Sequence, residues 1–571
     1  MVAFLYAGYG RRWAGDDGLI NLRVVHQLMQ GNGFVFNIGE RVEAVTSAGW
    51  VFVLWAAGEL GADLFDAAWV LSLFFSGLGM IAAALAASYT TRARGGVIVP
   101  LGLIGYAGIP VAWDYATSAL ENGLGMFYLG GAFLAATLLT AASRPSRNRA
   151  LALAAFIGLA PLVRPDYALY GVVLAAGIVL PPWTWRERFQ LLAAFSAPGL
   201  TYQIFRMGYF ACIVPNTALA KEAFASRFDQ GWIYFQNTFG SYMLWPPVGL
   251  ALLATAVRVG LALRDGRRFD ALVPTLLLGS GVLHLLYVAR VGGDFMHGRM
   301  LLPGLFAIFA STAVVRLQRR WSALLALLPV FAIGAWAVHA ARDLRPESYQ
   351  SGILDERRWY ADSSGIPNPT RLEHYTNHMF YIGPNWAKGV MAEGCPEGLK
   401  SLEPGSHHVC KRIVWPDAAG GLLVDKPDGV TLPLDPKAAP PDVAVVYEMR
   451  PIGIIGLLMG TRISVVDLYG LADPLASRVE LSDRGRPGHE KIFPVAWFAA
   501  KYTLPGSSAD ERVPVARKAL HCGRLKQLRD AVREPLTLSR FFRNIALSIP
   551  LHRVRIPVDP QQAVERFCKA G

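Results

Sequence analysis

The sequence predicts a polytopic α-helical membrane domain of about eleven spans, followed by a C-terminal domain of mixed α/β or β-rich type. Three observations predict it. Apolar runs long enough to cross about 30 Å of hydrocarbon recur as far as Ala340. The composition, 53% hydrophobic and 17% charged over 571 residues, excludes an ordinary soluble enzyme. From about Ala341 the long apolar runs stop, Pro and Gly become frequent, and short strand-like pieces appear.

Met1 to Tyr9 is apolar, lacks a signal-peptide pattern and is too short to span. It reads as the tail of a first membrane helix whose beginning lies outside this sequence. A polar first loop follows, residues 10–65, and it carries Asp16, Asp17, Asn21, Arg23, His26, Glu40, Arg41 and Glu43. From Asp17 to Gln30 the positions Leu22, Val25, Leu28 and Met29 recur at helical spacing, which predicts an amphipathic helix on a membrane surface. Gly31-Asn32-Gly33 ends it. Asp16 suits the N-terminal cap of that helix, but a cap needs only one acid, which leaves Asp17 for chemistry.

Further spans are expected at 66–89, 97–113, 123–142, 149–163, 167–181, 189–207, 238–263, 271–289, 300–316 and 321–340. The run 48–60 is read as dipping into one face without crossing. With that choice every basic loop falls on one side: Arg92/Arg94, Arg144/Arg147/Arg149, Arg186/Arg188, Arg264/Arg267/Arg268 and Arg316/Arg319/Arg320. These loops account for much of the net charge of +13 and set orientation, N-terminus in and C-terminus out; they are no signature of nucleic-acid binding.

The outward loops then share another chemistry. They hold Asp16/Asp17, Asp114, Glu121, Arg164-Pro165-Asp166, the long loop Gly208–Asn237 with Asn216, Thr217 and Lys221, and Arg290–Arg299 with Asp294, His297 and Arg299. Ionisable groups at membrane depth cost roughly 2.5–3.5 kcal/mol each, so their gathering on one face marks a site. An arginine fork matches phosphate oxygens, which makes Arg164 and Arg299, with His297, candidates for an anionic donor. The alternative for each is a self-contained ion pair. In the C-terminal part, Leu468–Lys491 gathers Asp473, Arg484, Arg486, His489 and Glu490 among turn formers, a pattern suited to carbohydrate hydroxyls or to a solvated turn.

Five cysteines show no metal-type spacing. An outward C-terminal domain meets an oxidising compartment, and four cysteines allow three connectivities. Cys395 and Cys410 bracket a short Pro- and Gly-containing loop, whose closure contributes about 3 kcal/mol. That leaves Cys522 with Cys568, and Cys212 as a buried thiol.

The blocks RRWAGDDGLINLR, GNGFVFNIGERVEAVTS, GGDFMHGRMLLP and VDLYGLADPL with GRPGHEK resemble, in order, the terminal arabinofuranosyltransferases of the mycobacterial cell wall, membrane glycosyltransferases of the GT-C class. The third block alone is shared with related polyprenyl-phosphate sugar transferases. The resemblance implies a catalytic acid in the first outer loop, here Asp16 or Asp17. It implies decaprenyl-phospho-arabinofuranose as donor, and the outward-loop residues Arg164, Asp166, Asn216, Lys221, Asp294, His297 and Arg299 are read as the ones that hold it. It also implies the arabinan of arabinogalactan or lipoarabinomannan as acceptor, and the polar residues Arg23, Glu40, Arg41, Glu43, Asp473, Arg486 and His489 are read as lying on that side. No cofactor is implied, and a divalent metal stays open. A β donor and a β(1→2) product mean net retention, whereas a single in-line displacement inverts, so the mechanism stays open too. Two other readings remain at this point: a polyprenyl-phosphate mannosyltransferase, and a lipid transporter, which would favour midplane charges and internal repeats.

Overall fold

The computed structural model describes residues 1–91, 97–141, 145–181, 183–317, 322–375, 412–416, 422–423, 445–449, 452–462, 464–502, 505 and 511–568. Among them, four helices are long and apolar enough to cross a bilayer: Leu64–Thr90, Asn122–Leu139, Trp245–Arg264 and Arg268–Val291. Trp185–Phe210 is as long, but carries Arg186, Glu187 and Arg188 at one end and Arg206 near the other. Small residues let the spans approach closely. A side chain at Gly130 would meet the carbonyl oxygen of Gly79, and one at Gly123 that of Ser72.

The expected span at 97–113 is not one helix. Val97–Val99 is extended and pairs antiparallel with Val315–Leu317, and two short helices, Leu101–Ala107 and Pro110–Tyr115, follow. Pro100 and Pro110 lack the amide that a continuous helix would use, which breaks the run. Ala48–Glu59 forms as a 12-residue helix, capped by the Ser47 hydroxyl accepting from the Trp50 amide. Twelve residues rise only about 18 Å, too little to cross.

The first-loop helix runs Asp16–Met29, and Gly31 takes the expected left-handed conformation after it, at φ +75°. It does not lie on a surface. Leu22, Val25, Arg23 and Gln27 are all fully buried, because the helix is covered on its polar side as well. The cover is Gly453–Met459, a short helix of the C-terminal part. Its glycines permit the contact: a side chain at Gly453 would strike the backbone of Asp16, and one at Gly456 the stem of Arg23.

The C-terminal part is mixed α/β. Its sheet runs Leu422–Leu423, Arg412–Pro416, Val445–Met449, Ser464–Asp467, with the last two strands parallel in the register Val446 to Ser464. Ser464–Asp467 falls inside Thr461–Asp467, one of the strand-like pieces of the sequence, and Val445–Met449 overlaps the other, Asp442–Tyr447. Two apolar cores result. Ile353, Tyr360, Tyr375, Ile454 and Val465 belong to the core of the membrane helices, whereas Leu475, Trp497, Leu528 and Ile556 build a separate one. Cys522 and Cys568 are disulfide-bonded, and Cys212 is a buried free thiol. Cys395 and Cys410 lie outside the described residues.

Candidate active site

Neighbouring residues on an α-helix point about 100° apart, so Asp16 and Asp17 cannot face the same way. The structure separates them completely. Asp16 is buried, and its Oδ1 accepts the Ile454 amide at 2.7 Å. It therefore caps the helix Gly453–Met459 and not its own helix, whose N-cap residue Gly15 offers no side chain. Arg23, seven residues on and hence on the same face, donates to the carbonyls of Gly456 and, at 2.9 Å, Gly460 at the other end. An acid at the N-terminus and a cation at the C-terminus match that helix's dipole. Burial pushes the Asp16 carboxyl up to about 7, against the amides that hold it.

Asp17 faces the other way, into a cavity of about 160 Å³ that Arg164, Asp166, Lys221, Asp294 and Arg299 also line. Lys221 Nζ stands 3.7 Å from Asp17 Oδ2 and 4.0 Å from Asp294 Oδ1. Arg299 Nη1 stands 4.0 Å from Asp17 and 3.7 Å from Asp294. These are ion pairs without hydrogen bonds. Among the described residues Lys221 Nζ donates to nothing, and Arg299 Nε is buried without a partner. Lys221 thus holds unused donors beside a carboxylate, while the Arg299 Nη1 that faces Asp17 donates to Met296 Sδ and only its Nε is unused. Behind them a tighter set fixes their place: Arg299 to Glu121 at 3.1 Å, Arg164 to Glu121 at 2.5 Å and to Asp166 at 2.9 Å, and Asp166 to His284 at 3.1 Å. Gly292 and Gly293, at φ +90° and +74°, turn the chain sharply enough to return Asp294 and Arg299 to the cavity.

Several expected site residues do other work. His297 Nδ1 meets Asn237 Oδ1 at 2.6 Å, and burial lowers its ring to about 3, so it is neutral and contributes no charge to a phosphate. Asn216 gives its amide to the carbonyls of Gly470, Leu471 and Asp473, clamping the 470–478 turn. Asp473 caps Leu475 and Ala476 and pairs with Lys501 at 2.6 Å, and Lys501 reaches Glu40 at 2.9 Å. Arg41 donates to the carbonyls of Tyr209, Ala531 and Glu534. Glu43 takes a double bond set from Arg206, at 2.6 and 3.1 Å, and the Tyr202 hydroxyl at 2.6 Å. Arg23, Glu40, Arg41 and Asp473 therefore lock the first loop to the C-terminal part, Glu43 locks it to Trp185–Phe210, and none of the five lines the cavity. Arg486 and His489 stay near it: the Arg486 guanidinium lies 4.4 Å over the Phe295 ring, and His489 is held edge-on between Phe295 and Tyr469. Burial, then the charges of Arg486 and Lys221, lower His489 to about 4.

Two acids had no assigned role in the sequence. Glu121 stands there among the outward-loop charges that mark a site, with a solvated loop charge as its alternative, and it joins Arg164 to Arg299. Glu356 lies past the last span, and the strand pairing of Leu354 with the Phe295–His297 loop brings it in: the Leu354 amide donates to Phe295 and its carbonyl accepts from His297. Glu356 is buried, and its Oε2 has no partner among the described residues. Burial, and after it the charge of Asp17, hold this carboxyl well above the ordinary range.

A family model described as the AftB family C-terminal domain matches residues 435–566. The chain is 35% identical to the terminal β-(1→2)-arabinofuranosyltransferase of Mycobacterium tuberculosis, over 99% of its own length and 95% of the relative's. It is 33% identical to the protein of the same name from Corynebacterium glutamicum, over 98% of its length and 86% of the relative's. Among solved structures it is similar to ArnT from Cupriavidus metallidurans bound to undecaprenyl phosphate, at 17% identity and a TM-score of 0.38, over 69% of this chain and 71% of that one. Identity of this degree over nearly the whole of both chains places the protein, a glycosyltransferase with apolar membrane helices, in the terminal β-(1→2)-arabinofuranosyltransferase family.

Proposed function

We propose that the protein transfers arabinofuranose from decaprenyl-phospho-arabinofuranose to the end of an arabinan chain, that of arabinogalactan or lipoarabinomannan, through a β(1→2) bond, with Asp17 as the catalytic acid–base group. The observation that carries this reading is the pairing of Asp17 with two cations, Lys221, which makes no hydrogen bond among the described residues, and Arg299, whose Nε has no partner there. A donor phosphate placed between those cations meets charge-assisted hydrogen bonds, and they offset the second negative charge that develops as the phosphate leaves. Asp17, across from them, takes the acceptor hydroxyl's proton or faces the positive charge growing on the sugar ring. Asp294 and Glu121 hold the cations in place before the donor arrives, so little reorganisation is needed. Arg164 and Asp166 support Glu121 from behind. Pro487 and Gly488, flanked in sequence by Arg486 and His489, form the wall on the C-terminal side, where an acceptor sugar fits.

In this reading residues 1–340 are the GT-C-type transmembrane domain and 341–571 the extracytoplasmic domain that holds the glycan. The chain crosses the plasma membrane eleven times in this reading, the first helix and the four long apolar helices among the crossings. The positive loops stay inside, and the cavity opens outside, where the lipid-linked sugar and the polysaccharide meet. The Cys522–Cys568 disulfide supports an oxidising location.

The test is radiolabel transfer in membranes from polyprenyl-phosphate arabinose to an arabinan oligosaccharide, with linkage analysis of the product. The wild type forms a terminal β(1→2) arabinofuranose. Asp17→Asn, expressed and folded normally, loses about 10²–10⁴-fold. Normal turnover by Asp17→Asn removes the assignment.

A further inference from the structure

The helix Leu538–His552 contains no acid, and its sequence LSRFFRNIALSIPLH divides sharply into two faces. Asn544, Ser548 and Leu551 are buried. Leu538, Phe542 and Ile549 are 79%, 67% and 52% exposed, an unusual cost in water for a surface that a soluble domain could have made polar. The helix is seated on the C-terminal end of Trp185–Phe210: Asn544 donates to the Gly208 carbonyl at 2.9 Å, and the Phe541 ring fills the space that a side chain at Gly208 would need. Trp185–Phe210 itself exposes Phe189, Leu192, Leu200 and Ile204 along its length. The apolar face of the C-terminal helix therefore continues a membrane-facing flank at the level where it ends. Phe224, whose ring packs edge-on against His552 at 5.5 Å, together with Phe228 and Trp232, adds exposed aromatic rings of the kind that favour the membrane–water boundary.

At the C-terminal end of the same helix, Arg524, Arg553, Arg555 and Arg566 meet Ile549 and Pro550 around a cavity of about 370 Å³. Arg566 pairs with Glu480, and Arg555 donates to the carbonyls of His552 and Val554. Arg524 and Arg553 form no ion pair or hydrogen bond among the described residues. An apolar face with an arginine pocket at its edge matches both halves of one molecule.

We infer that Leu538–His552 lies in the membrane interface, with Leu538, Phe542 and Ile549 among acyl chains, and that the arginine pocket beside it binds the phosphate of an anionic phospholipid. The helix would dock the glycan-holding domain on the lipid that also carries the donor, an arrangement that does not depend on the assignment of Asp17.

The test uses the full-length protein in nanodiscs of phosphatidylcholine with a minority of phosphatidylglycerol, carrying a benzoyl-phenylalanine photocrosslinker at position 542 or 549. Irradiation should give lipid adducts at both positions. At 549 the adducts should be enriched in phosphatidylglycerol over the bulk mixture, by about fivefold for each arginine that meets the headgroup. The enrichment should fall to the bulk ratio in the Arg524→Ser, Arg553→Ser variant, which leaves the adduct at 542 intact. Adducts only to a second copy of the chain, or none to lipid, overturn the interfacial placement. An adduct composition equal to the bulk in the unmodified arginine background overturns the headgroup site.

Discussion

Replacing Asp16 by Asn should leave catalysis intact and make the protein less sensitive to alkaline pH. The folded-state carboxyl sits at about 7, and an unperturbed aspartate at about 3.9. A folded state that binds a proton more tightly than the unfolded chain has its full stability below the unfolded value. It loses that stability as pH rises from about 4 to about 7, and is level above. At about 1.4 kcal/mol per unit, the loss by pH 8 is on the order of 4 kcal/mol, an upper figure because solvent penetration softens burial. Asn cannot ionise, and its carbonyl oxygen can still accept the Ile454 amide, so the variant keeps the cap and loses the slope. Asp16→Ala loses the cap as well, at about 1 kcal/mol. The assay is thermal unfolding of the purified protein in detergent at pH 5 and pH 8, with transfer activity measured alongside. The wild-type midpoint should fall between the two pH values by more than that of Asp16→Asn, and Asp16→Asn should turn over near the wild-type rate. An Asp16→Asn protein that melts normally yet is inactive refutes the division of labour between the two acids.

Three further outcomes follow from the same geometry. Lys221→Ala removes a cation that makes no hydrogen bond among the described residues, so the melting point should hold. The loss of a charge-assisted contact to phosphate, about 1.5–3 kcal/mol, should appear as a roughly 10–100-fold fall in kcat/KM for the donor. Glu356 faces Asp17, Asp294, Arg299 and Arg486, with Tyr115, Tyr360 and Tyr375 behind it, and burial raises its carboxyl well above the ordinary range. Its proton is present below the raised value and lost above it, so wild-type activity should decline on the alkaline side and Glu356→Gln should stay active and flatten that decline; a pH–rate profile of the two checks it. Cys522→Ser opens a loop with a sequence separation of 46, worth about 4 kcal/mol in the chain-entropy account, and peptide mapping without reduction should recover the Cys522–Cys568 pair with Cys212 free.

Much of this architecture was legible in the residues. Apolar run lengths place Leu64–Thr90, Asn122–Leu139 and Arg268–Val291 within a few residues, because hydrocarbon thickness constrains a span more than any local propensity does. Gly31, the short helix at Ala48–Glu59 and the two parallel strands were equally readable from local chemistry. The run at 97–113 was misread because apolarity alone does not distinguish a helix from a strand and two half-helices, and Pro100 and Pro110 decide it. At the site, the sequence brought Asp17, Lys221, Asp294 and Arg299 onto one face without fixing their contacts. It could not separate buried clamps from cavity charges. Arg23, Glu40, Arg41, Glu43 and Asp473 look like binding residues in a polar loop, but each finds a partner far along the chain, Gly456 for Arg23 and Arg206 for Glu43 among them. Glu356 was invisible for the same reason, since only the pairing of Leu354 with the Phe295–His297 loop carries it to Asp17.

The most direct test of the central claim is a structure of the protein with a polyprenyl phosphate bound. The account predicts phosphate oxygens within hydrogen-bond distance of Lys221 Nζ and the Arg299 guanidinium, both drawn off Asp17, with the Asp17 carboxylate facing the position of the sugar carbon. A phosphate held elsewhere, with Lys221 and Arg299 still resting on Asp17 and Asp294, would contradict it.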